Sequence, residues 1–254
     1  MVDMVTVSFT SFKVSVAEAF NRLGVAPLLA DQSHILLKPN LVMASPHPVT
    51  TSVECCKAVA EYIRSHSDAK IVIAEGTGDP AFSTHEVFET LGYKAISRQL
   101  DIELIDLNTA PFAKLSRDDC PRFPDMVLPK IAFTHFIISL PVLKAHSLSV
   151  FTGSLKNMMG FAPPAHYSGS CGIWNKAEFH KNIHQAIIDL NKYRQADLTL
   201  MDASIGLADY HLGGRTCDPP VNRLLAGVDS QKVDREAATL LGFDWRQIPH
   251  LAAS

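Results

Sequence analysis

Short apolar runs alternate along the chain with longer segments in which apolar residues recur every three or four positions. Residues 5–8, 34–37, 70–74, 102–107, 136–140, 198–201 and 223–226 read as strands. Residues 16–23, 52–66, 84–91, 176–193 and 233–241 carry helical periodicity. Pro39 ends the second strand; Thr50, Thr51 and Ser52 supply caps for the helix after it, Thr84 caps the next, and Gly242 closes the last. The run at 70–74 is continuously apolar, the pattern of a strand covered on both faces. Residues 108–129 contain prolines and read as a hairpin or excursion from the core, and a short helix is expected at 154–159, followed by a loop over 160–172. Strands alternating with helices at these intervals predict a three-layer α/β fold with a mainly parallel or mixed central sheet. With no internal repeat and no linker, residues 1–254 are expected to form one α/β domain.

The chain of 254 residues, 47% of them hydrophobic, is long enough to bury a large core. Its net charge of −3 offers no general attraction to nucleic acid or anionic lipid, so neither is an expected partner. The start has no basic-then-apolar leader, and no run approaches the roughly 18 apolar residues of a spanning helix, so a cytoplasmic protein is expected. Five scattered cysteines, Cys55, Cys56, Cys120, Cys171 and Cys217, fit reduced thiols; whether Cys55 or Cys171 is reactive stays open. No Cys-x-x-Cys pair exists, so the chain lacks the local ligand set of an iron–sulfur cluster or a structural zinc.

In a sheet of this kind, ligands bind where loops leave the carboxyl ends of parallel strands, which selects residues 38–51, 75–80, 141–160 and 202–217. In the first loop Lys38, Asn40, Thr50 and Thr51 could hold a carboxylate or phosphate beside a helix start, or serve only as solvated charge, turn and caps. Glu75 could ligate a metal or act as a base, although Glu75-Gly76-Thr77-Gly78 lacks both the third glycine of a dinucleotide fingerprint and the Gly-Lys-Ser/Thr of a P-loop. The third loop is the richest. Lys144, Lys156 and Asn157 could bind an anionic substrate, and His146, which titrates near neutrality when free, could move a proton or ligate a metal. His180 and His184, four residues apart on the expected helix, could share one ion, though no Glu follows His180 as in zinc proteases. Asp202, at a strand end, could hold a metal or a ribose hydroxyl, or cap a turn. The sequence leaves the cofactor open: a divalent metal is one candidate, with His180, His184, Glu75 and Asp202 as its candidate ligands, against the alternative that the His pair is a polar boundary position; His146, Lys144 and His180 are the candidate catalytic residues.

These segments carry a resemblance. Leu37-Lys38-Pro39-Asn40-Leu41-Val42, Leu140-Pro141-Val142-Leu143-Lys144 with His146-Ser147-Leu148, Ser154-Leu155-Lys156-Asn157-Met158-Met159-Gly160, His180, Ile188-Asp189-Leu190-Asn191, Asp202, and Leu225-Ala226-Gly227 with Asp229 and Asp234 resemble the family called domain of unknown function 362. Some members of that family are fused to ferredoxin-type iron–sulfur modules. The resemblance implies electron transfer in such relatives and, for this chain, a ferredoxin-like redox partner as the source of any cluster. Residues 206–210 depart from the Met-Glu-Gly type of sequence associated with that position, so a shared role for that loop is not implied. Two readings follow: an enzyme acting on a small anionic metabolite, with redox-linked (oxidoreductase) chemistry as one form, or a non-catalytic metal-binding or partner-binding module serving an iron–sulfur redox protein. A nucleotide-dependent ligase or kinase ranks last, for want of a phosphate loop.

Overall fold

The computed structural model describes residues 2–169 and 174–253. The chain begins with β1 (Met4–Ser8), α1 (Phe12–Leu23), α2 (Ala26–Ala30) and β2 (His34–Pro39), then α3 (Val53–Arg64), β3 (Lys70–Glu75), α4 (Thr84–Thr90), α5 (Tyr93–Leu100) and β4 (Glu103–Asp106). A separate hairpin, β5 (Phe112–Ser116) with β6 (Asp125–Pro129), precedes β7 (Phe136–Leu140), β8 (Val142–His146), β9 (Val150–Thr152), α6 (Ser154–Asn157) and α7 (Pro164–Tyr167). Last come α8 (Ile183–Tyr193), β10 (Leu198–Leu207), β11 (Arg223–Gly227), α9 (Ser230–Leu240) and α10 (Pro249–Ala252).

The central sheet has nine strands and runs β1-β11-β10-β7-β2-β3-β4. From β10 to β4 every pairing is parallel, while β11 runs antiparallel to both β10 and β1. β8 prolongs β7 beyond Pro141, pairing parallel with β10 and antiparallel with β9. The three layers follow from side-chain alternation. Along β2, Ile35 and Leu37 join a core with Phe20, Val59 and Phe88, from α1, α3 and α4, on one face. Leu36, between them, joins Ile183, Ile187, Val233 and Ala237, from α8 and α9, on the other. A strand covered on both faces has no polar face to alternate with, which explains the continuous apolar runs.

Several elements differ from the sequence expectation. Ser83, not Thr84, caps α4: its side chain accepts from the Glu86 backbone and Glu86 reciprocates, while Thr84 Oγ1 donates to Asp106 Oδ1 at 2.8 Å. Residues 142–152, read as polar loop, form β8 and β9, and all five residues of β8 are buried, Lys144 and His146 included. The expected helix 176–193 is broken. Ala177–His180 forms one 3-10 turn, Asn182 takes a left-handed conformation (φ 58°), and α8 starts at Ile183. A short polar side chain tolerates that conformation, and the break lets Phe179 pack against Phe123 and Tyr167 without continuing the helix. His180 and His184 therefore do not share a helix face.

Candidate functional site

The carboxyl ends of β2, β3, β8 and β10 open toward one cavity of about 350 Å³. All four strand-end loops contribute to it: Asn40 and Val42 from the first, Glu75 and Gly76 from the second, His146, Lys156 and Asn157 from the third, and Tyr210, His211 and Leu212 from the fourth. The segment beyond residue 173 adds Trp174, Lys176 and His180.

Its base is a buried charge network. Lys38, fully buried, directs its ammonium to Glu75 Oε2 at 2.7 Å, Asn157 Oδ1 at 3.2 Å and the Pro39 carbonyl at 3.2 Å. Glu75 also accepts from the backbone N–H groups of Gly76 and Leu41. Asn157 Nδ2 donates to the Lys38 carbonyl and to Ser139 Oγ, tying α6 to the strand ends. Gly160 passes so close that any side chain there would run into Glu75 and Lys38, and a side chain on Gly76 would meet Asn108 and the Gly160 carbonyl. The backbone approach that closes the base thus requires both glycines.

Three more lysines surround this pair. Lys144 donates to Asn40 Oδ1 at 2.6 Å and the Val49 carbonyl at 2.7 Å. Lys176 donates to Asn108 Oδ1 and to the carbonyls of Gly160 and Ala162, at 2.7–3.0 Å. Burial, the largest cause in both, lowers each to about 7, with nearby Lys156 adding to the effect on Lys144. Lys156 is half-buried, lines the cavity, and has no hydrogen-bond or ion-pair partner among the described residues; burial lowers it to about 8. It lies in α6, whose first backbone N–H groups, those of Ser154 and Leu155, donate to the two carboxyl oxygens of Asp234 at 2.7 and 2.9 Å. Among the described residues lining the cavity, Glu75 is the one carboxylate, and Lys38 occupies it.

Three imidazoles complete the wall. His146 Nδ1 accepts from the backbone N–H groups of Leu148 and Ser149, at 3.0 and 3.2 Å. An acceptor nitrogen carries no proton, so the neutral ring bears its hydrogen on Nε2. The ring stacks on His211 with centroids 3.8 Å apart. Burial, then the charge of Lys156, lowers all three: His180 to about 4, His211 to about 3, and His146 furthest. At neutral pH they are uncharged rings.

The structure thus brings together Lys38, Asn40, Glu75, Lys144, His146, Lys156, Asn157 and His180. Thr50 and Thr51 stand behind the site. Thr51 Oγ1 accepts from the Asn40 backbone and donates to the Leu140 carbonyl, Thr50 Oγ1 donates to the Ser45 carbonyl, and Ser52 caps α3. Asp202 lies 2.9 Å from His47 Nε2 and accepts from the Ser204 backbone. His184 stacks on His250, Nδ1 to Nδ1 at 2.8 Å. Among the described residues no three His, Cys, Asp or Glu side chains are grouped to hold a metal ion. Cys55 and Cys56 are buried, with thiols pushed up mainly by burial, and Cys171 lies outside the described residues. Lys176 and His211 are cavity residues that sequence reasoning did not select. Lys176 read as the first residue of an amphipathic helix; His211 stood in the fourth loop without a stated role. No helix among the described residues is long and apolar enough to cross a membrane.

Fold and site together define a three-layer α/β protein with a lysine- and histidine-lined cavity at the carboxyl edge of its parallel strands. The chain belongs to the family described as domain of unknown function (DUF362), which matches residues 35–239 and so spans the sheet from β2 through α9. No curated protein matches it.

Proposed function

We propose that the chain is an enzyme acting on a small anionic metabolite held in this cavity. One observation carries the reading: among the described residues Lys156 stands unpartnered in a cavity whose one carboxylate, Glu75, is already taken by Lys38, with Lys144 and Lys176 buried close by. Burying ammonium groups without counter-charge is costly, and an anion in the cavity removes that cost.

The lysines divide by their donors. Lys38 and Lys176 each give all three N–H groups to protein acceptors, so they supply field and scaffold rather than contacts to ligand. Among the described residues lining the cavity, Lys156, the Nε2–H of His146 and the hydroxyls of Ser147, Thr152 and Tyr210 have no protein hydrogen-bond partner and are free to touch a ligand. His180 and His211, which line the cavity as neutral rings, offer nitrogens for hydrogen bonds to a bound substrate. Val42, Leu148 and Trp174 offer an apolar wall for the rest of the molecule.

The test is thermal denaturation with a panel of small carboxylates and phosphates, each beside its neutral amide or alcohol analogue. The expected result is stabilisation by one anion class and none by the neutral partners. Equal shifts across the panel, or no shift, would overturn the reading.

A further inference from the structure

We propose that Lys156 is a nucleophile, forming an imine with the carbonyl carbon of an aldehyde or 2-oxo acid whose anionic group is held in the same cavity. The inference rests on the anion-binding reading above and deepens it, naming the class of substrate and the atom that attacks.

The four lysines of the site are not equivalent. Lys38, Lys144 and Lys176 are each committed to two or three protein acceptors, and the Lys156 amine alone among them faces the cavity with no partner among the described residues. A lysine placed to bind charge structurally has acceptors around it; one placed to react must keep its lone pair free. Its backbone is held firmly. Asp234 accepts both N–H groups at the start of α6, and Asn191 Nδ2 donates to the Leu155 carbonyl at 2.9 Å, so the stem of Lys156 projects from an anchored turn. Burial of the amine acts toward the neutral form. With the amine lowered to about 8, roughly a tenth is neutral at pH 7, against about one part in three thousand for an ordinary lysine. The thiols of Cys55, Cys56, Cys120 and Cys217 do not line the cavity, which leaves Lys156 as the strongest nucleophile there among the described residues.

The step balances without an external oxidant or reductant. The Lys156 nitrogen forms a bond to the carbonyl carbon as the carbonyl π pair moves to oxygen. The two amine hydrogens follow to that oxygen, which leaves as water while the nitrogen lone pair closes the C=N bond. His180 and His211 line the same cavity as Lys156, and each neutral ring has one nitrogen to take a proton and another to give one. The Nε2–H of His146 can donate to the oxygen as negative charge develops on it. Once protonated, the imine draws electrons from the neighbouring carbon, easing loss of a proton or carboxylate there.

The experiment is reductive trapping on the full chain. The protein is incubated with pyruvate or glyoxylate and sodium borohydride, and the adduct is counted by intact mass and located by peptide mapping. The expected result is one reduced adduct per chain on Lys156, suppressed when the non-carbonyl anion that best stabilises the protein is present in excess. In Lys156→Arg, shown folded by its melting curve, the adduct should fall at least tenfold. Adducts spread over exposed lysines such as Lys13 and Lys114, or an undiminished yield in Lys156→Arg, would overturn the imine. So would the absence of adduct in wild-type protein. If anions still stabilise the protein in that case, only the imine fails; if they do not, the anion-binding reading fails with it.

Discussion

The Lys38 ammonium lies 2.7 Å from the Glu75 carboxylate with both side chains sealed from solvent, joining the carboxyl ends of adjacent parallel strands at the base of the cavity. The pair is neutral as a unit, and it converts two strand ends into a floor onto which Asn157 and Gly160 are packed. Everything above that floor on the cavity wall is cationic or neutral among the described residues.

Breaking this pair should cost much more than removing it. Glu75→Gln leaves the Lys38 charge buried without its counter-ion, and the expected loss in chemical denaturation is about 3–5 kcal/mol. The double variant Lys38→Met with Glu75→Gln should recover a large part of that loss. A double variant whose loss equals the sum of the two single ones would show that the two residues do not act as a pair.

Gly160→Ala tests the close approach. A Cβ at this position meets Glu75 and Lys38 on the same side, and neither can retreat from a filled network. Overpacking of this kind costs about 1–3 kcal/mol. The expected readout is a lower denaturation midpoint together with weaker anion binding, because the displaced groups form the cavity floor. An unchanged midpoint would mean that the floor is looser than its geometry implies.

Asp234→Asn should loosen the turn that carries Lys156. The carboxyl group accepts two backbone N–H bonds, one on each oxygen; an amide offers one acceptor and turns a donor toward the other N–H. An unsatisfied buried donor costs about 1–3 kcal/mol, measurable by denaturant titration. Anion affinity should fall with it, although Asp234 is far along the chain and does not line the cavity.

How much of this is legible in the sequence depends on the kind of signal. The strands β2, β3 and β7 are readable because burial on both sheet faces leaves an unbroken apolar run. β8 is not, because Lys144 and His146 are buried there by partners, Asn40 and the Val49 carbonyl for the lysine and two backbone N–H groups for the histidine, that lie elsewhere in the chain or in a turn no periodicity announces. The four strand-end loops are legible as a group, since parallel topology sends them to one edge. Which of their polar residues face the cavity is not: Thr51 and Lys38 look alike as donors beside a strand end, yet one braces the Leu140 carbonyl and the other the cavity floor. The helical periodicity of residues 176–193 is genuine in its buried positions, Phe179, Ile183, Ala186, Ile187 and Leu190, and silent about the left-handed Asn182 that turns His180 away from His184.

The alkaline limb of the stability profile should report the buried lysines. Below about pH 7, Lys144 and Lys176 are protonated in both the folded and the unfolded chain, and the cost of burying their charge is fully present. Between about 7 and 8.5 the unfolded chain binds more protons through Lys144, Lys176 and Lys156, so stability rises with pH; nearer 9 the thiols of Cys55 and Cys56, pushed up by burial in the folded chain, ionise in the unfolded one and oppose the rise. The low-titrating His180 and His211 have completed their changes below this window, and Asp234, held up to about 7 by burial, completes its ionisation in the first part of it. Denaturant titrations across this window should give a rising curve that flattens in Lys176→Met; a flat wild-type curve would contradict the expectation.

The most direct test of the anion-binding cavity is isothermal titration of the most stabilising anion into wild-type protein and Lys156→Met near pH 8, in two buffers of different ionisation enthalpy. The predicted result is one site per chain, uptake of protons on binding as the anion raises the lysines toward their ordinary values, and at least tenfold weaker affinity in the variant, a loss of about 1.4 kcal/mol. Binding with no proton uptake and equal affinity in Lys156→Met would place the anion elsewhere on the protein and contradict the account.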